Sequence, residues 1–304
     1  MYILQAIASI SHQEVFQKEH FWSNLHFLEA ETNILHPDYK AFIPATALRR
    51  LSPILRMGIA CAKSCQEAIS EHFDSISVGT GLGCLMDTEK FLVTINTTSG
   101  DILSPTAFIQ STHNTISGQI SLDLKNHAYN MTHTQNTLSF EVALLDGMLC
   151  VDEGKKHVLV GAADETVPFL KRLQPDIVTD EYPLTSGATF MVIGSESKTE
   201  AVGIVACELS YKQRHLAEWV NAFLAKHRMT AAEIGLVLHY NTLEPNDFKN
   251  TLSFAPITGY NMSAPAFAAH IAVDWLKDPA NHGAVLLINN MDSNKQALTL
   301  FQKA

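Results

Sequence analysis

The chain has 304 residues, of which 46% are hydrophobic and 17% are charged, and its formal net charge is −10. So many apolar side chains can build a sizeable core, which excludes an intrinsically disordered chain. The negative net charge argues against a protein that coats nucleic acid, because such proteins are usually basic. No uninterrupted apolar run reaches the roughly 18 residues that a membrane-spanning helix needs.

Strand-like runs alternate with helix-like segments along the chain. Short apolar runs predict strands at residues 75–81, 157–165, 188–196, 201–211, 234–241 and 284–290. Amphipathic patterning predicts helices at residues 45–70, 137–154, 214–227 and 264–278. This alternation predicts an α/β protein whose sheets are covered by helices on both faces. We expect the runs at 188–196 and 201–211 to pair with each other around a polar turn.

Each half of the chain contains a strand–turn–helix unit that ends in a polar stretch, at residues 130–145 and 236–250. The repetition indicates an internal duplication. We therefore predict an N-terminal half over residues 1–180 and a C-terminal half over residues 181–304, joined in one compact unit.

The five cysteines are odd in number and widely scattered, and the N-terminus lacks the cationic start and apolar run of a signal peptide. We expect no disulfide framework and a cytoplasmic location. Cys61 and Cys65 lie four residues apart on a predicted helix, but no second pair or histidine cluster is near them. Buried small side chains are therefore expected there, and no metal site.

The glycine-rich turn GTGLG (79–83) follows a predicted strand, as in dinucleotide-binding proteins. It is not a full G-x-G-x-x-G, and no acidic residue follows a second strand about twenty positions later. We therefore predict that the protein binds no cofactor.

Several strings, taken in order, resemble the β-ketoacyl synthase family. They are RRLSPILRMGIACAKSCQEA (49–68), VGTGLGCLMDTEKFL (78–92), SPTAFIQSTHNTISGQISLDL (104–124), VGAADE (160–165), LTSGATFMVIGSE (184–196), ITGYNMSAPAFAAHIA (257–272) and LLINNMDSNKQALTLF (286–301). The resemblance implies a thiolase-like fold, a duplicated αβαβα layered architecture that is truncated relative to a full ketosynthase. SPTAFIQSTHNTISGQIS, YNM (129–131) and SFEVALLDG (139–147) are most similar to the chain-length factors of aryl polyene and flexirubin-type pathways.

The resemblance also implies where the catalytic groups of an active member would stand, and here they are missing. Condensation needs a thiolate at a helix start, where the helix dipole lowers its pKa. The nucleophile position falls at Thr137, and the window 133–141 contains no cysteine. His239 matches the first histidine motif. Ala255 stands at the lysine position, and the histidine after Thr-Gly is Tyr260.

At the last motif, Asn290 stands where the second histidine belongs. We therefore expect no catalytic residues, and we expect Thr137 and Ser139 to cap the following helix. Cys150 and Cys207 do not lie at predicted helix starts, so both are expected in the core.

The resemblance implies a heterodimer with an active, cysteine-bearing ketosynthase, in which this chain shapes the acyl tunnel. Residues 106–111 and 131–137 are candidate tunnel-lining segments, with Phe108 and Met131 as gatekeepers beside Thr137. Length control would then follow from sterics, because bulky side chains close the cavity. An acyl carrier protein is an indirect partner, and a homodimer in isolation is a further possibility. The short basic runs available to an acidic carrier are Arg49-Arg50, Arg56, Lys171-Arg172 and Lys212 with Arg214.

Two alternatives remain open at this stage. The first is an autonomous acyltransferase, hydrolase or β-ketoacyl synthase homodimer that uses His239 with Thr137 or Ser139. A hydroxyl nucleophile of this kind needs an adjacent base. The second is a homodimeric module that docks acyl carriers without any enzyme partner.

Overall fold

The computed structural model describes residues 1–29, 32–97, 103–177, 182–196, 201–243 and 248–304. Its ten strands are β1 (Tyr2–Ile10), β2 (Ser75–Gly79), β3 (Tyr129–His133), β4 (Val158–Asp164), β5 (Gly187–Gly194), β6 (Val202–Ser210), β7 (Ile234–His239), β8 (Thr251–Ser253), β9 (Ala284–Asp292) and β10 (Lys295–Lys303). Its helices are α1 (Ala45–Leu48), α2 (Pro53–Ile69), α3 (Leu85–Thr97), α4 (Pro105–Gln110), α5 (Thr115–Leu124), α6 (Ser139–Asp152), α7 (Pro168–Ile177), α8 (Leu216–Lys226), α9 (Ala255–Thr258) and α10 (Ala264–Lys277). None of these described helices is long and apolar enough to cross a membrane.

The strands form one hydrogen-bonded sheet in the order β3-β2-β4-β5-β1-β6-β10-β9-β7-β8. The first five strands in sequence and the last five follow the same internal order, read outward from the centre of the sheet. β1 of the first set and β6 of the second meet at the centre, where Tyr2 pairs with Ile204. The sheet therefore confirms the predicted duplication.

Three hydrophobic clusters divide the molecule into layers. Helix α2 packs on β1, β4 and β5 and forms one outer cluster with α5. Helices α6 and α10 lie between the two halves of the sheet and form the central cluster. Helix α8 covers the outer side of β7, β9 and β10. The predicted α/β, five-layer αβαβα arrangement is confirmed.

The predicted helix over residues 45–70 is two helices, α1 and α2. Proline disfavours the helical conformation in the residue before it, and Ser52 is extended, with φ −67° and ψ 162°. Pro53 then occupies the first turn of α2, where its missing N–H costs nothing. The helix ends at Ser70, which takes the left-handed conformation with φ 58°.

The expected pairing of the runs at 188–196 and 201–211 is wrong. Strand β5 pairs with β1 and β4, whereas β6 pairs with β1 and β10. β1 lies between them, because the first residues of the chain close the centre of the sheet. The two runs are close in sequence, which favoured a hairpin between them. In the folded chain, β1 forms hydrogen bonds with both β5 and β6.

The predicted boundary between residues 180 and 181 lies outside the described residues, as does the segment 244–247 at the end of the second polar stretch. The strand order groups β5 with β1–β4. We therefore propose that the two repeats divide after Gly194.

Candidate site at the start of helix α6

The chain leaves β3 at His133 and turns into α6 through a short 3-10 helix, Asn136–Leu138. Asn136 has φ 53°, a left-handed conformation that asparagine tolerates better than most residues. The next residue, Thr137, is only 5% exposed. Its hydroxyl has no hydrogen-bond partner among the described residues, while its carbonyl accepts a bond of 2.7 Å from Asn289 Nδ2.

Ser139 follows at the first turn of α6, and its hydroxyl is fully engaged. Its Oγ accepts a hydrogen bond of 2.9 Å from the Gln135 N–H, and it lies 2.7 Å from the Asn136 carbonyl and 3.0 Å from that of Thr80. The N-cap of α6 is Leu138, which makes no side-chain capping bond. The expectation that Thr137 and Ser139 cap this helix is therefore wrong; Ser139 instead ties the turn to the end of β2.

A buried carboxyl group lies one turn into α6. Glu141 is fully buried, its Oε1 accepts a hydrogen bond of 2.8 Å from Asn289 Nδ2, and its Oε2 has no hydrogen-bond partner in the described residues. Burial raises the pKa of Glu141 to about 7, against the lowering effect of the Asn289 bond. Asn289 therefore links two points of the N-terminal half, the Thr137 carbonyl and Glu141, to strand β9.

The side chain of His239 lies on the face of β7 that points away from the central hydrophobic cluster. Leu236, Leu238 and Tyr240 belong to the central cluster, whereas Val237 belongs to the cluster under α8. Because side chains alternate along a strand, His239 shares the outward side of Val237. Its Nδ1 is 3.0 Å from the Asn241 carbonyl, and burial lowers its pKa.

Asn290 has the same outward orientation on β9. Its Oδ1 accepts hydrogen bonds of 2.9 Å from the backbone N–H groups of Tyr240 and Asn241, and its Nδ2 donates to the Asn241 carbonyl. Asn290 thus holds the turn after β7. The structure brings Thr137 together with Asn289, and within the described residues no hydrogen bond joins His239 or Asn290 to Thr137.

Aromatic side chains fill the interior next to this region. The ring of Tyr240, which is 2% exposed, lies 5.4 Å from that of Phe254 and 6.5 Å from that of Tyr260, between ring centroids. Tyr182 packs on Tyr240 from the other side at 6.2 Å. Ala255, at the expected lysine position, begins α9 and is completely buried in the same cluster.

Cys150 and Cys207 make no hydrogen bond to His239 among the described residues. Thr299 Oγ1 donates to Cys207 Sγ at 3.5 Å, and Cys150 is buried in the central hydrophobic cluster. Burial raises the pKa of Cys207 to about 12 and also raises that of Cys150. Both thiols therefore stay protonated at neutral pH. No group of three or more His, Cys, Asp or Glu side chains in the described ranges is arranged to hold a metal ion.

The glycine-rich turn after β2 is occupied by the chain's own carboxylate. Asp164, at the end of β4, accepts hydrogen bonds from the N–H groups of Gly81 (2.9 Å) and Leu82 (2.8 Å) and from the Thr80 hydroxyl (3.0 Å). It also accepts a bond of 2.5 Å from Ser263 Oγ, just before α10. The sequence analysis missed this role of Asp164. An acidic residue at the end of one strand, together with a glycine-rich turn after a neighbouring strand, could have predicted it.

Many exposed apolar side chains lie on α3, α4, α5, β3 and α6 of the N-terminal half. Eleven of the sixteen exposed large hydrophobic side chains in the described residues fall between positions 86 and 149. Phe108, on α4, is 56% exposed, and its ring lies 5.6 Å from that of Phe91 on α3. Met131, on the edge strand β3, is 42% exposed, and Leu149 of α6 is 62% exposed.

These exposed side chains belong to several elements of the N-terminal half, and we refer to them together as the apolar face: Met86, Leu92, Val93, Ile95, Leu103, Phe108, Ile109, Leu122, Tyr129, Met131 and Leu149. The predicted gatekeepers Phe108 and Met131 therefore lie on the outside of this chain. Strand β3 pairs only with β2 within the described residues, so its outer edge offers open backbone groups.

Comparison with known proteins fits this geometry. The sequence profile described as "Beta-ketoacyl synthase, N-terminal domain" matches residues 20–231, which is more than half of the chain. The chain belongs to the β-ketoacyl synthase family. A search of curated protein sequences finds no significant match.

Solved structures of ketosynthases share the fold of this family member. "The ishigamide ketosynthase/chain length factor" has a TM-score of 0.80 and 11% identity over 99% of both chains. A ketosynthase in complex with its chain length factor from Xenorhabdus doucetiae has a TM-score of 0.62 and 12% identity over 99% of this chain and 98% of that one. A type II acyl-carrier protein in complex with its ketosynthase has a TM-score of 0.79 and 13% identity over 100% of this chain and 99% of that one. These matches confirm the thiolase-like ketosynthase fold.

Proposed function

We propose that this ketosynthase family member is a non-catalytic chain-length factor. It pairs with a cysteine-bearing ketosynthase in the cytoplasm and shapes the tunnel that receives the growing acyl chain. The five unpaired cysteines fit a reducing compartment.

The start of α6 is the observation that carries this proposal. Thr137 offers a buried hydroxyl that makes no hydrogen bond to any described residue, so no base is in place to activate it. The proton of Ser139 is directed to backbone carbonyls. His239, the base of the autonomous-enzyme hypothesis, belongs to the opposite face of its strand. The arrangement therefore favours a structural role over acyl transfer.

The interior packing supports the same proposal. Tyr240 and Tyr260 fill space between the two halves, together with Phe254 and Tyr182. An acyl substrate would have to displace these rings, and displacing packed aromatic side chains costs several kcal/mol, about 3–5 by analogy with core truncations. The growing chain is therefore assigned to the partner's site.

The apolar face supports the assignment of a protein partner. Monomeric proteins rarely expose a contiguous apolar patch of more than a few hundred Å² without a use for it. Here β3, which carries the exposed Met131, packs against α6, which carries the exposed Leu149. Two of the structural neighbours are described as a ketosynthase with its chain length factor. We assign the face to the corresponding ketosynthase.

Co-purification tests the partner. The chain is co-expressed with a cysteine-bearing ketosynthase as the candidate partner, as wild type and as the Met131→Asp/Leu149→Asp double variant. We expect a stable complex for the wild type and at least a tenfold loss of affinity for the double variant, because two charges would be buried unpaired. Leu35→Asp is the matched control, since Leu35 is also exposed (46%) but lies outside the face. A complex that survives the double variant would contradict this interface.

Product length tests the tunnel. In the reconstituted pair, Phe108→Ala removes a large ring near the proposed tunnel, and we expect longer products by mass spectrometry. Phe27→Ala, which removes an exposed ring outside the apolar face and outside the predicted tunnel-lining segments, should leave product length unchanged. Equal product lengths for wild type and Phe108→Ala would remove Phe108 from the gatekeeper role.

The purified chain alone tests catalytic inactivity. Incubation with acyl carrier protein thioesters should give neither an acylated chain nor turnover. Acyl transfer that is lost in Thr137→Val or His239→Ala would instead establish the autonomous enzyme.

A further inference from the structure

A cavity of about 430 Å³ lies under helix α8, away from the start of α6. This volume is within the ~300–1,000 Å³ typical of small-molecule sites. Its floor is formed by Ile288 and Asn290 of β9, and its walls are formed by Val220 of α8 and by Leu243 and Phe248. One end of the cavity is therefore apolar.

The other end is electropositive. Arg214 and His215 line the cavity where α8 begins, and α8 has eleven residues, so its N-terminus carries a substantial partial positive charge. His215, the N-cap residue, makes no side-chain capping bond. Arg214 donates from Nε to Ser210 Oγ at 2.9 Å and lies 5.3 Å from the Trp219 ring centroid. Among the described residues, its two terminal nitrogens donate to no acceptor.

The nearby acids leave this positive end available. Glu208 accepts hydrogen bonds from Trp219 Nε1 and from Lys226 Nζ, both at 3.1 Å, and it attracts Arg214 electrostatically without accepting a hydrogen bond from it among the described residues. Glu218 is exposed and lies 3.9 Å from His215 Nδ1. The guanidinium of Arg214 therefore keeps donors for a further anion.

A buried polar side chain gives the second, independent sign of a ligand. Gln296 of β10 lines the cavity and is only 8% exposed, and its Oε1 has no hydrogen-bond partner among the described residues. It lies on the same side of β10 as Leu298 and Leu300, which pack under α8. A buried amide without a partner is costly, so the site gains from a polar ligand.

We propose that this cavity binds a small amphipathic carboxylate. The carboxylate would accept hydrogen bonds from Arg214 and from the N–H groups that begin α8, and the apolar tail would lie against Val220, Phe248 and Ile288. A half-turn of the Gln296 side-chain amide brings Nε2 to the position of Oε1, where it can donate a hydrogen bond to the same carboxylate. This site is separate from the partner interface, so its failure would leave the proposed function intact.

Isothermal titration calorimetry on the full-length chain tests this site, with octanoate as the probe and 1-octanol as the uncharged match. We expect saturable binding of one octanoate per chain and at least tenfold weaker binding of octanol. Arg214→Gln should weaken octanoate binding at least tenfold, because a charge-assisted hydrogen bond is lost. Arg49→Gln, which removes an exposed cation elsewhere, should leave binding unchanged.

Filling the cavity gives the second arm of the test. Ala217→Phe, on the first turn of α8, should abolish binding of both probes, and circular dichroism checks that the chain is folded. Ser293→Phe places a ring in the cavity from the turn between β9 and β10. This variant provides the same test if Ala217→Phe does not fold. Absence of saturable octanoate binding at millimolar concentration would overturn the proposal. Binding that is insensitive to Arg214→Gln and to both filling variants would overturn it equally.

Discussion

At the scale of single residues, Glu141 is the most unusual group in the central layer. It is a buried carboxyl group with one hydrogen-bonded oxygen and one without a partner in the described structure. Burial raises its pKa from the ordinary 4.5 to about 7. The native protein therefore binds more protons than the unfolded chain between these two values, and its stability falls as pH rises through this window.

Glu141→Gln tests this reasoning. The variant removes the cost of a buried charge, so its free energy of unfolding at pH 8 should exceed that of the wild type by up to roughly 3 kcal/mol. Below about pH 4.5 the difference should vanish, because the wild-type group is then protonated in both states. Urea unfolding at pH 4.5, 6 and 8 measures it. Glu67→Gln, at an exposed site on α2, is the control, and a pH-independent effect of Glu141→Gln would refute the assignment.

Glu165 belongs to the same pH window. Burial raises its pKa to about 7, and the Met86 N–H donates to its Oε1 at 2.9 Å. Some of the fall in stability between about pH 4.5 and 7 should therefore persist in Glu141→Gln and become smaller when Glu165→Gln is added.

At the scale of elements, Asp164 connects the two halves of the chain through hydrogen bonds. Asp164 lies at the end of β4, and its carboxylate accepts hydrogen bonds from the turn after β2 and from Ser263, the residue before α10. Burial raises its pKa, and the four donors around it oppose that effect. Each donor would be buried without a partner if the carboxylate were removed.

Asp164→Ala should therefore lower the free energy of unfolding by about 3–5 kcal/mol, and Asp164→Asn by less, because one acceptor oxygen remains. Chemical denaturation measures both. Asp38→Ala removes one exposed hydrogen bond to the Lys40 N–H and should cost less than about 1 kcal/mol. Equal losses for Asp164→Ala and Asp38→Ala would show that Asp164 does not tie the halves.

At the scale of the whole molecule, we expect the apolar face to govern association. A standard protein interface buries about 1,600 Å² in total, and here exposed side chains of α3, α4, β3 and α6 are available together. As a purified single chain, the protein should self-associate through this face. Sedimentation velocity should detect dimers whose fraction rises with concentration, and Leu149→Asp should shift the population to monomer. A wild-type chain that stays monomeric at high concentration would contradict this expectation.

Much of the fold could be predicted from sequence because its signals are local. The runs that became β2, β4, β5, β6, β7 and β9 are nearly continuous apolar segments, as expected for strands covered on both faces. The resemblance to the ketosynthase family rested on strings in a fixed order, and the family match and the fold comparisons confirmed it.

The candidate site was less predictable because its geometry depends on single-residue register. A shift of one residue along a strand turns every side chain to the other face. His239 and Asn290 were among the predicted site residues, yet it is their neighbours that face the central layer: Tyr240 packs in the central cluster, and Asn289 donates to the Thr137 carbonyl. No sequence period could decide this, because both faces of β7 and β9 are buried.

The sequence by itself determined the fold class, the duplication and the absence of a cysteine near the start of α6, since these depend on residue identity and local pattern. Only the tertiary structure decided that β1 separates β5 from β6, that Asp164 occupies the glycine turn, and that Phe108 and Met131 face outward. These contacts join residues far apart in sequence, and their free energy depends on the space and the partners that the folded chain provides.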